Sequence, residues 1–212
     1  MANNARPKFI AFHGYTMNRD QLRTMLEPAF SDLDIELIIP DAPHTCRPES
    51  VRAFFREWKQ PVPEGPHLTW WRASDDGRRY EGLEDTIATL RALHALHTPH
   101  GVIGFSQGTM VAAVACALSE LNELPPLRCA ILLAGAPPRA DALEPLFRRP
   151  IAVPSLHIWG ERDPLAGHAP TLVERFDAAT RSTHTWEGSH NVPRTGAGVE
   201  AIREFVTRHC NG

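Results

Sequence analysis

The sequence predicts a doubly wound α/β architecture, with a mostly parallel sheet of about six strands and helices on both faces. Three observations carry this expectation. Short apolar runs of buried-strand type recur at 8–12, 35–39, 101–105, 129–134 and 155–159, and an alternating run follows at 182–186. Helix-compatible stretches separate them, the rhythm of parallel strands joined by crossover helices. No linker, repeat or low-complexity segment interrupts the 212 residues, so the chain reads as one domain over 1–212.

The first run, Lys8 to Phe12, leads directly into His13-Gly14-Tyr15. A helix is expected from Asn18 to Phe30, capped by Asn18 and with Leu22, Met25 and Leu26 on one face, shortened by Pro28. The run at 35–39 closes on Pro40-Asp41-Ala42-Pro43-His44. Residues 45–80 then break the rhythm, with four prolines and with Phe54, Phe55, Trp58, Trp70 and Trp71. A loop of this length in a compact domain is unusual, and one short amphipathic helix is expected over Val51 to Trp58. Two readings of the aromatics stand: they pack an insertion onto the core, or they form a lid or wall around an apolar substrate pocket that also includes Val192. Trp70 and Trp71 fit the structural reading better. Leu83, Ile87, Leu90, Leu93 and Leu96 follow helical spacing and end near Thr98-Pro99. Later helices are expected from about 110 to about 121, from about 169 to 179 and from 198 to 209, with a short one around 140–147.

Composition excludes several classes. Hydrophobic residues make up 42% and charged residues 22%, ordinary globular values, and the net charge of −3 gives no footprint for nucleic acid. No apolar run approaches the roughly 20 residues of a membrane span, and the polar N-terminus has no signal-peptide core, so a cytoplasmic protein is expected. Cys46, Cys116, Cys129 and Cys210 form no C-x-x-C pair; no disulfide or zinc site is expected. His94, His97 and His100 recur every three residues, a pattern that exposed cations near a helix C-terminus explain without a metal. Neither a phosphate loop nor a dinucleotide fingerprint occurs, so no cofactor is expected.

The chemistry concentrates at Gly104-Phe105-Ser106-Gln107-Gly108, a Gly-x-Ser-x-Gly pattern between a buried-type strand and a helix. A sharp turn from strand to helix projects the serine Oγ from the sheet edge, and a Cβ at Gly104 or Gly108 would crowd the two elements. A serine hydroxyl needs a base, and the imidazole base needs a carboxylate to orient it. Because ligands gather past the carboxyl ends of parallel strands, the candidates are polar residues just beyond those ends. They are Ser106, then Asp163 in preference to Glu161, then His190 among eleven histidines. His157, inside a strand, reads as a packed core group. The order Ser, Asp, His is that of α/β-hydrolase folds. The oxyanion donors are expected to be the amides of Gln107 and Tyr15. His13 either holds that loop by hydrogen bonding or is only a turn residue.

With these residues assembled, the chain resembles the FSH-type serine hydrolase family over nearly its whole length. The resemblance rests on His13-Gly14-Tyr15, Asp41-Ala42-Pro43, Trp70-Trp71, Tyr80-Glu81-Gly82-Leu83, the Ser106 motif, Pro154 to Gly160 leading to Asp163, and Gly188-Ser189-His190-Asn191-Val192-Pro193. It implies a Ser106–Asp163–His190 triad and carboxylesterase or thioesterase activity on small-molecule acyl substrates. Thr109 stands where the family often has alanine. The aromatic insertion suggests an apolar acyl chain. The same triad also serves peptidases, lactone- or polyketide-releasing enzymes, and hydrolase-fold receptors with slow turnover.

Overall fold

A computed structural model describes residues 6–210. Its frame is a six-stranded, wholly parallel sheet. In chain order the strands of the molecule are β1 (Lys8–Phe12), β2 (Glu36–Ile38), β3 (His44–Thr45), β4 (Leu68–Thr69), β5 (Arg72–Ala73), β6 (Tyr80–Glu81), β7 (Gly101–Phe105), β8 (Cys129–Leu133), β9 (Ser155–Gly160) and β10 (Arg181–Trp186). The helices are α1 (Arg19–Phe30), α2 (Pro48–Glu57), α3 (Leu83–His97), α4 (Gln107–Glu120), α5 (Ala169–Val173) and α6 (Ala197–Cys210), with a 3₁₀ segment at Asp141–Phe147. The main sheet runs β10-β9-β8-β7-β1-β2. Its central strands are buried along their whole length, as a sheet covered on both faces requires.

Each face has its own apolar cluster. Leu22, Leu26 and Phe30 of α1 pack with Val199, Ile202 and Phe205 of α6 on one side. On the other, Leu83 and Leu90 of α3 pack with Val111 to Leu118 of α4. All of α4 from Val111 to Ser119 is buried, which explains its near-continuous apolar sequence. No helix among the described residues is long and apolar enough to cross a membrane.

Several expectations need correction. Asn18 caps α1 through a full capping box with Gln21, but Pro28 does not shorten the helix. It sits in the last turn, and the helix runs on past it to Phe30. The helix expected over 169–179 stops at Val173. There the Arg181 guanidinium takes the carbonyls of Val173 (2.7 Å) and Phe176 (2.9 Å), and Phe176 turns to bridge Ile151. His94 is not an exposed cation: it is fully buried, Nδ1 donates to the Leu90 carbonyl at 2.8 Å, and burial lowers its pKa. Residues 45–80 are not a bare loop. They hold α2 and two antiparallel ribbons, β3–β4 and β5–β6. Cys46, Val51 and Phe55 form a small apolar cluster there, with Tyr15 and Phe54 packed on it.

Candidate active site

Strand β7 ends at Phe105, and Ser106 follows with φ 53° and ψ −118°. A positive φ at a residue with a Cβ costs about 1–3 kcal/mol and persists only where its surroundings impose it. Here they do: the Ser106 amide donates to the Leu133 carbonyl at 3.0 Å, and Thr109 returns both its amide (3.0 Å) and its hydroxyl (2.7 Å) to the Ser106 carbonyl. The threonine at this position thus locks the turn. A Cβ on Gly108 would lie 1.9 Å from the Phe12 carbonyl oxygen, and one on Gly104 would lie 2.4 Å from that of Gly108. Helix α4 therefore meets the sheet at a distance that only glycine permits.

Past β9, Asp163 is buried, with 1% of its side chain exposed. Its Oδ1 accepts the Leu165 amide at 2.8 Å and its Oδ2 accepts from Nδ1 of His190 at 2.8 Å. This leaves Nε2 as the His190 nitrogen free for a hydroxyl. The imidazole lies between the rings of Phe105 (5.2 Å between centroids) and Trp58 (4.9 Å). Glu161 is exposed and its backbone, not its carboxylate, is engaged, bonding Trp186. His157 lies in the core as expected, 2% exposed, facing Ser155 and Phe176.

On the far side of Ser106, His13 holds the loop after β1. The Ala42 amide donates to its Nε2 (3.0 Å), so Nδ1 carries the proton and donates to the Gly14 carbonyl (2.8 Å). Burial keeps this imidazole neutral by lowering its pKa, against the opposing pull of the Gly14 bond and Asp41. The indole of Trp70 donates to the His13 carbonyl at 2.9 Å. The Tyr15 amide donates to no protein group among the described residues. Gln107 opens α4, so its amide is one of the unpaired donors of a helix N-terminus. Its side chain, which sequence reasoning left without a role, accepts from the Thr69 hydroxyl (3.0 Å) and the Trp70 amide (3.1 Å) and donates to the Trp71 carbonyl (3.1 Å).

Ser106 and His190 open on one pouch of about 520 Å³, walled by Phe54, Phe55 and Trp58 of the insertion with Met17, Met25 and Pro63. Met17, Met25 and Pro63 were not among the expected wall residues; Met25 lies on the half-buried flank of α1, a position that signals only packing. Three expected wall residues are absent from it. Trp70 is fully buried, with its indole spent on His13. Trp71 stacks on Tyr80 at 4.7 Å and faces a separate groove. Val192 is fully buried in the cluster with α6.

A parallel six-stranded sheet, a serine on a strained strand–helix turn and an Asp–His pair past later strand ends define an α/β hydrolase. The fold is shared with a solved acyl-protein thioesterase 2 from Zea mays (TM-score 0.70, 19% identity, 99% of this chain and 96% of that one) and with the solved esterase PE8 (TM-score 0.67, 21% identity, 97% and 93%). Residues 1–202 match the family model described as Serine hydrolase (FSH1), and the chain belongs to that family. Among relatives, it is 32% identical over 164 residues to Esterase OVCA2 of Bos taurus, covering 70% of this chain and 71% of the relative. It is 29% identical over 183 residues to Esterase OVCA2 of Homo sapiens, covering 79% and 77%.

Proposed function

We propose that the protein cleaves carboxylic esters or thioesters of apolar acyl chains through an acyl-enzyme on Ser106. The observation that carries this reading is the Asp163–His190 pair, bonded at 2.8 Å, whose His190 shares with Ser106 a pouch walled by aromatic and methionine side chains. His190 Nε2 takes the Ser106 proton as Oγ attacks the carbonyl carbon. Asp163 holds the tautomer and stabilises the imidazolium. The amides of Tyr15 and Gln107 receive the oxyanion, each contributing on the order of 3 kcal/mol to the transition state. His190 then protonates the departing alcohol or thiol, and water, activated by the same imidazole, releases the acid. In this reading 45–80 belongs to the single domain 1–212 and supplies the pouch wall. The esterase names of the relatives support the reaction type.

The test is fluorophosphonate labelling together with hydrolysis of short and long p-nitrophenyl esters. Wild type labels and turns over, with longer chains preferred; Ser106→Ala loses both. Labelling or turnover that survives in Ser106→Ala ends the proposal.

A further inference from the structure

Beyond Tyr15, on the side away from the pouch, lies a second depression of about 1020 Å³. Tyr15 borders both cavities, and Gln107 lines the second. Thr69, Ser50 and Cys46 line it beside the tyrosine. Arg72 lines the same depression as Tyr15 and Cys46. Nothing in the chemistry at Ser106 uses these groups.

The charges around the groove are unevenly spent. Arg72 is held in place by Glu81 (3.1 Å) and by donating to the Thr45 carbonyl (2.9 Å). Arg47 approaches the same Glu81 at 3.6 Å. Two guanidinium groups on one carboxylate leave a local positive charge in a groove whose lining carries three arginines and three acids. The other two acids sit with Arg79 on the β5–β6 ribbon: Asp76 accepts from the Ser74 hydroxyl (2.6 Å) and the Arg78 amide (3.0 Å), turned into its own hairpin, and Asp75 is exposed. A planar guanidinium held by two partners is preorganised for a carboxylate or phosphate, with little rotamer freedom left to lose.

We propose that this groove binds an anionic end of the substrate, a carboxylate or a phosphate, carried by the leaving group on the opposite side of the scissile bond from the apolar acyl chain. Arg72 and Arg47 hold the anion. The proposal rests on the reading of Ser106 as nucleophile and of the pouch as the acyl site. The bond from Oγ to the acyl carbon forms, the bond from that carbon to the leaving oxygen or sulfur breaks, and the Ser106 proton passes through His190 to that atom. The product leaving through the groove is then an alcohol or thiol with its anion intact.

Matched decanoyl esters test this: those of 6-hydroxyhexanoate and 6-hydroxyhexyl phosphate against that of the neutral N-methyl amide of 6-hydroxyhexanoic acid, read as decanoate released. In wild type at least one anionic ester has a kcat/KM about tenfold above the neutral one, mainly through KM, and the gain shrinks in about 0.5 M salt. Which anion gains more identifies the headgroup. The anionic-to-neutral ratio falls towards one in Arg72→Gln. Because Arg72 also holds the Thr45 carbonyl, Arg47→Gln, exposed and tied among the described residues only to Glu81, is the second variant and shows the same fall. A ratio of one in wild type, or a ratio unmoved in Arg47→Gln and a folded Arg72→Gln, overturns the groove while leaving the esterase intact. Turnover of all three esters by Ser106→Ala overturns the esterase reading instead.

Discussion

Asp163 shows how a single carboxylate can be set for one task. One of its oxygens is spent on the Leu165 amide and the other on His190, and only 1% of its side chain meets solvent. In Asp163→Asn the amide fits the same space but no longer enforces the His190 tautomer with Nδ1 protonated. The expected outcome is a kcat lower by about 10³–10⁴-fold with KM changed little, measured on a p-nitrophenyl ester. A raised KM with kcat preserved would assign Asp163 to binding. Ser106, Asp163 and His190 were legible as candidates because each follows a strand end, and strand ends are what apolar runs reveal best. His13 was not legible in the same way. Its value lies in two backbone bonds, one to Gly14 and one to Ala42, 29 residues away. No pattern within the sequence encodes so distant a partner.

At the scale of elements, the main sheet and long helices followed from periodicity, whereas 45–80 did not. Strands of two residues, such as β3 to β6, are too short to show alternation, and the β3–β4 ribbon exists because His44 and Thr69, far apart in the chain, come together. What fastens this insertion to the elbow is the Gln107 carboxamide, through its bonds to Thr69, Trp70 and Trp71. The same residue presents the helix-opening amide beside Ser106, so one residue joins the insertion to the reaction centre. Gln107→Ala keeps that amide but leaves the Trp70 amide without its partner, at a cost of about 1–3 kcal/mol. A fall in Tm of about 3–8 °C follows, together with a kcat/KM about tenfold lower on long esters. Thermal unfolding and steady-state kinetics on the same preparation check this. A lower Tm with unaltered kinetics would make the clamp purely structural.

Across the whole molecule, histidine burial sets the response to acid. His157 is packed between Ser155 and Phe176, and its pKa falls to about 3, first through burial and then through the nearby charge of Arg181. His13 and His94 are also buried, with pKa values lowered chiefly by burial. In the unfolded chain each titrates near its ordinary value of about 6.5. Between that pH and the lowered folded value, the unfolded state holds protons that the folded state refuses, so acid favours unfolding. The effect is absent above about pH 7, begins below 6.5 and for His157 continues to about 3. By pH 5, His157 alone removes roughly 2 kcal/mol, about 1.4 kcal/mol for each unit below 6.5, a sizeable part of the 5–15 kcal/mol typical of a domain. Urea unfolding at pH 7.5, 6 and 5 measures it, and His157→Leu isolates it: whatever the variant costs at pH 7.5, its stability should fall less between pH 7.5 and 5 than that of wild type, by roughly 2 kcal/mol. An identical fall in both proteins would place the acid sensitivity elsewhere in the fold.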